Sequence, residues 1–69
     1  MTKARDVNPL RMRREELGML LTELAAKIER SAAMVSMCEG GYVPKRGTQV
    51  KLAAALSTTP EALWPEEYA

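Results

Sequence analysis

Apolar positions recur along this chain at helical spacing, in short blocks separated by turn-forming residues. The most regular stretch is Leu21–Gly41. Leu21, Leu24, Ala25 and Ile28 share one helical face, and Glu29-Arg30-Ser31 then interrupts the pattern. Ser31 is a good N-cap, because its hydroxyl accepts from a free amide in the first turn. Ala32 to Glu39 restarts the helical pattern with Val35 and Cys38 as the inward pair, and Gly40-Gly41 closes it. Upstream, Asn8-Pro9 supplies a cap and a proline at the first helical position. It predicts a first helix from about Pro9 to Leu17, with Leu10, the stem of Arg13 and Leu17 facing inward and Gly18 ending it. Met19 and Leu20 form an apolar linker. Downstream, Tyr42–Gly47 reads as a loop, with Val43 held extended by Pro44 and a sharp turn at Gly47. Thr48 is the expected cap of a fourth helix through about Leu56, with Val50, Ala53, Ala54 and Leu56 partly buried. Thr59-Pro60-Glu61 starts a short fifth helix ending at Leu63 or Trp64, where Pro65 stops it. The pattern predicts an all-α fold: a compact five-helix bundle over residues 8–64, preceded by a basic arm (1–7) and followed by a short acidic tail (65–69).

Composition narrows the class. Sixty-nine residues allow one domain with a small core. Aromatic residues make up only 4% of the chain, so that core must be aliphatic and rich in methionine. No apolar run approaches the roughly 18 residues that span a bilayer, and the N-terminal residues lack the apolar segment of a secretory signal. The single cysteine cannot form an internal disulfide, which fits a reducing cytoplasm. Histidine is absent, which removes His-based triads and Cys/His zinc sites; no metal or cofactor is expected. Nor is there a glycine-rich phosphate loop or a carboxylate pair that a pocket could isolate. The chain is not expected to be an enzyme.

Net charge is +1, but it is unevenly spread. Residues 1–14 carry Lys3, Arg5, Arg11, Arg13 and Arg14 against Asp6, and residues 40–60 carry Lys45, Arg46 and Lys51 unopposed. Acidic residues predominate between these segments and after them. Positive charge therefore sits before and just after the helix pair Leu21–Gly41. That pair has the outline of a helix-turn-helix, whose second helix can enter a DNA major groove while flanking cations hold the phosphate strands. Ordinary solvation of helix surfaces accounts for the same charges.

From Leu10 to Leu63 the chain resembles the phage-repressor/Cro-type helix-turn-helix family (XRE). The likeness is carried by Leu10-Arg11-Met12-Arg13-Arg14-Glu15, Gly18, and Glu23-Leu24-Ala25-Ala26-Lys27-Ile28. It continues through Ser31, Val35, Ser36, Glu39 and Gly41, then Lys51-Leu52-Ala53-Ala54-Ala55-Leu56 and Thr59-Pro60-Glu61-Ala62-Leu63. The resemblance implies a lambda-repressor-like bundle in a sequence-specific transcriptional regulator, a repressor or Cro-like switch of a phage or other mobile element. It also implies double-stranded DNA as partner, expected as a palindromic operator bound by a homodimer. Two departures stand out. Leu20 and Leu21 occupy positions where the family usually has Ser or Thr followed by Gln. Ala32, Ala33, Ser36 and Met37 occupy the base-reading positions, where the family tends to have Arg, Gln, Ser or Thr.

The resemblance assigns base contacts to Ala32, Ala33, Ser36 and Met37. None offers the bidentate bonds that distinguish guanine or adenine; alanine and methionine suit thymine methyl groups, and serine suits several base edges. Phosphate contacts fall to Arg11, Ser31, Tyr42, Lys45 and Arg46, with Lys3 and Arg5 of the arm in the minor groove. Each has a plainer reading: Ser31 as a cap alone, Ala32 and Ala33 as helix formers, Tyr42 as a ring packed across its loop, Lys45 and Arg46 as loop charges. Met34 and Met37 suit a groove or a soft protein-binding surface. Cys38 is expected in the core, and Glu39 as a partner of Arg11 or Arg14. Leu63, Trp64 and Tyr68 are the candidates for a dimer interface, with Trp64 equally suited to closing the core. The loss of polar readers leaves a second functional class open: the same fold as a protein-binding module or antagonist of another regulator, through Leu20, Leu21, Ala32, Ala33, Met34 and Met37.

Overall fold

The computed structural model describes residues 8–68, and every regular element among them is helical. The order is α1 (Pro9–Glu16), α2 (Leu21–Ile28), α3 (Ala32–Glu39), α4 (Arg46–Ala55) and α5 (Pro60–Leu63), followed by a 3-10 turn over Pro65–Glu67. Helix α2 packs against α3 and α4, α5 against α4 and α1, and α1 reaches α3. No helix among the described residues is long and apolar enough to cross a membrane.

Helices of eight residues do not hold alone in water, so the shared core must stabilise them. Leu10 comes from α1, Leu24, Ala25 and Ile28 from α2, and Val35 and Cys38 from α3. Leu52, Ala53 and Leu56 join from α4, with Leu63 and Trp64 closing the last side. The caps are as the residue types dictate. Asn8 Oδ1 accepts from the Arg11 amide, Ser31 Oγ from Met34, and Thr59 Oγ1 from Ala62. Leu20 has no acceptor to offer α2, but the Glu23 carboxylate accepts its amide at 2.7 Å.

Four helices end the same way. At Gly18, Glu29, Gly41 and Ser57 the chain turns left-handed, with φ of +65°, +58°, +119° and +55°. At each end, the amide of that residue and the next bond back to carbonyls of the last turn, as Gly18 and Met19 do to Glu15 and Arg14. Glycine meets this demand freely at Gly18 and Gly41. Glu29 and Ser57 adopt the same geometry with a side chain, at a cost of roughly 1–2 kcal/mol each.

Several expectations change. Leu17 is 43% exposed rather than inward, because α1 stops at Glu16 and Gly18 turns the chain away. Helix α4 begins at Arg46, with Lys45 at its cap position, so Thr48 lies inside the helix and Gly47 is helical rather than a turn. Leu52 and Leu56, one turn apart, set its buried face; Gln49 and Ala53 fall on that face. Val50, at 45% exposure, and Ala54 therefore point to solvent. The segment after Trp64 is not simply a tail, since it forms the 3-10 turn and brings Tyr68 back against α4.

Candidate nucleic-acid interface

Helix α3 is fixed on every side but one. Val35 and Cys38 anchor its inner face, Ser31 caps its start, and Glu39 is held at its end by Arg14. The Arg14–Glu39 pair is two-pronged: Nε to Oε2 at 2.6 Å and Nη2 to Oε1 at 3.1 Å. Arg14 Nη1 also donates to the Met19 carbonyl at 2.8 Å, so one guanidinium ties α1, the following turn and the end of α3 together. The hydrogen bond to Glu39 raises the Arg14 pKa, outweighing the opposing effect of burial. Burial also raises the Cys38 thiol pKa, and the adjacent Glu39 charge adds to it. Cys38 is thus a protonated core residue at neutral pH, as expected.

The remaining face of α3 presents Ala33, Ser36 and Met37, spaced at i, i+3 and i+4. Met37 is 55% exposed. Ala32 is turned partly inward and packs against the core, so of the four expected base contacts it is the least available. Met34 is likewise half-buried. Ser31 is exposed; while its oxygen accepts from Met34, its hydroxyl proton is free to donate to a phosphate.

The expected phosphate contacts differ in their circumstances. Arg11 is exposed but shared with Glu15 at 3.0 Å, a pair worth little in water that an incoming phosphate could displace. Tyr42 is 50% exposed, in the loop between α3 and α4. Lys45 and Arg46 are both exposed at the start of α4, a short loop away from the end of α3. Arg46 Nη1 donates to the Tyr68 hydroxyl at 2.6 Å. Lys3 and Arg5 lie outside the described residues.

The dimer candidates are drawn into the protomer itself. Leu63 and Trp64 are 4% and 7% exposed in the core, so Trp64 closes the core and neither offers a free surface to a second copy. Tyr68 is half-buried and donates to Gln49 Oε1. No group of three or more His, Cys, Asp or Glu side chains among the described residues is placed to hold a metal.

Compared with known proteins, the chain matches no family model, no curated protein and no solved structure. The site must stand on its own geometry.

Two residues of that geometry go beyond the sequence pattern. Gln49 is the buried polar residue of α4, and its signal lay in the spacing Gln49, Leu52, Ala53, Leu56, an unbroken helical stripe. The sequence places Arg13 inward only by its stem. Its head group also works, Nε and Nη2 donating to the Leu56 and Ser57 carbonyls at the end of α4.

Proposed function

We propose that this protein is a DNA-binding transcriptional regulator of the cytoplasm, with α3 entering the major groove. The observation that carries the reading is the presentation of α3. It is a helix of eight residues whose inner face, start and end are each fixed, leaving Ala33, Ser36 and Met37 outward with Lys45 and Arg46 close by in the chain. Rigid display matters because base contacts need side chains held in register with the groove, while flanking cations supply affinity from the backbone. The resemblance to phage-repressor/Cro-type proteins supports the same assignment. With alanine, serine and methionine outward, readout rests on thymine methyl groups and on DNA shape. So short a helix touches few bases, which favours two copies on half-sites about one helical turn apart.

The test is retention of random duplexes at two salt concentrations, with sequencing of the retained pool. Retention that weakens with salt, with a site enriched, supports the reading. Absence of retention at low salt refutes it.

A specific observation favours a second use of the same surface. Of the apolar residues expected on that surface, Leu20 and Met37 are 64% and 55% exposed, more apolar surface than phosphate contact requires. In this reading the face binds another protein, and mutation of Met37 weakens that complex while duplexes are ignored.

A further inference from the structure

The start of α4 is secured by a line of polar groups running from the interior to the surface. Lys45 at the cap position makes no side-chain bond to the helix. Instead Gln49, buried one turn in, donates through Nε2 to the Pro44 carbonyl at 3.0 Å. Its Oε1 accepts from the Tyr68 hydroxyl. The Tyr68 oxygen accepts in turn from Arg46 Nη1 at 2.6 Å, and the guanidinium carbon lies 5.1 Å from the centre of the tyrosine ring. Donors and acceptors alternate without conflict along the line, because tyrosine gives its one proton inward and keeps a lone pair for arginine. A hydroxyl that donates is also polarised into a better acceptor.

Arg46 differs from the three arginines of α1. Arg11, Arg13 and Arg14 each face a carboxylate, at 3.0, 3.4 and 2.6 Å. Arg46 has no carboxylate partner among the described residues; it has a neutral hydroxyl and a ring face, which orient it and leave its charge intact. Its other N–H groups make no bond within the described residues and remain for a ligand.

We propose that Tyr68 is a positioning residue for Arg46, aiming its guanidinium at a DNA phosphate beside α3. The proposal rests on the DNA-binding reading above. Gln49 and Pro44 already secure the helix start, so the outer step to Arg46 serves an exposed cation. Holding a long side chain in place before binding removes an ordering cost that would otherwise weaken the complex.

The experiment measures affinity of the chain for a labelled random-sequence duplex pool at low salt, alongside thermal melting, for wild type, Tyr68→Phe, Arg46→Gln and the double variant. Tyr68→Phe keeps the ring and loses the hydroxyl. It is expected to weaken binding roughly two- to tenfold. Arg46→Gln weakens binding and reduces the salt slope by about one, and Tyr68→Phe then adds nothing further in that background. Equal weakening by Tyr68→Phe in both backgrounds would mean that the tyrosine only supports the fold, and overturns the proposal. So does unchanged affinity in either single variant. If Tyr68→Phe fails to fold, Arg46→Lys decides: weakening at retained charge supports an aimed planar group, and wild-type affinity overturns it. A wild-type chain that retains no duplex fails earlier, at the DNA-binding reading itself.

Discussion

Removing either member of the Arg14–Glu39 pair should come close to unfolding the protein. The two side chains are only 13% and 10% exposed, and the pair shares two charge-assisted bonds. Arg14→Met strands a carboxylate at the end of α3 and leaves the Met19 carbonyl without its donor. Glu39→Leu strands a guanidinium. Breaking a buried pair from one side costs about 3–5 kcal/mol. The residual exposure here lowers that to about 2–4 kcal/mol. A chain of 69 residues has a total stability of roughly 3–10 kcal/mol. At about 4–8 °C per kcal/mol, either variant should melt at least about 8 °C lower. The double variant replaces two charges by two apolar groups and should be no less stable than either single one. Trp64, buried and the sole tryptophan, reports unfolding in urea. Losses below about 0.5 kcal/mol in the single variants, or strictly additive losses in the double one, would refute the central role given to this pair.

Other consequences are simpler. Gly47 is helical, its φ is not positive, and an added methyl meets nothing within 4 Å. Gly47→Ala should therefore raise stability by about 0.5 kcal/mol, seen as a higher melting temperature. Cys38 has a raised pKa in the fold, so above the ordinary thiol pKa of about 8.5 the unfolded chain releases a proton that the folded chain keeps. That contribution to stability is complete below this pH and is lost as pH rises towards the folded value. Urea unfolding at neutral and alkaline pH should show a larger loss for wild type than for Cys38→Ala; equal losses would contradict it.

Where residue type alone determines local geometry, the sequence was readable. Asn8, Ser31 and Thr59 cap their helices, and α2 and α3 lie where the spacing of Leu24, Ile28, Val35 and Cys38 puts them. The failures have a common physical origin in tertiary contacts. Nothing in the residue types marks Glu29 or Ser57 as left-handed, yet both adopt that geometry at the ends of their helices. Helix α4 starts two residues before the cap that Thr48 suggests, because no side chain caps it and Gln49 bonds the Pro44 carbonyl instead. Its apolar residues also mislead, since Val50 suits either face by composition while Leu52 and Leu56 choose the other. The choice between Arg11 and Arg14 as partner of Glu39 likewise depends on how α1 crosses α3. Of the four positions that the resemblance assigns to base contact, Ala33, Ser36 and Met37 are exposed and Ala32 is half-buried, whereas the Arg46–Tyr68 contact joins residues far apart in sequence.

The proposed DNA-binding function requires α3 to be the surface that meets DNA. The measurement that tests this most directly compares duplex binding by wild type and Met37→Glu, using a random pool at low salt with thermal melting as control. Met37 is exposed, so the substitution should leave the melting temperature within a few degrees. If α3 enters the groove as proposed, the negative charge should nevertheless abolish retention of the pool. Equal retention by the two proteins would contradict the account, because α3 would then not be the element that lies against the DNA.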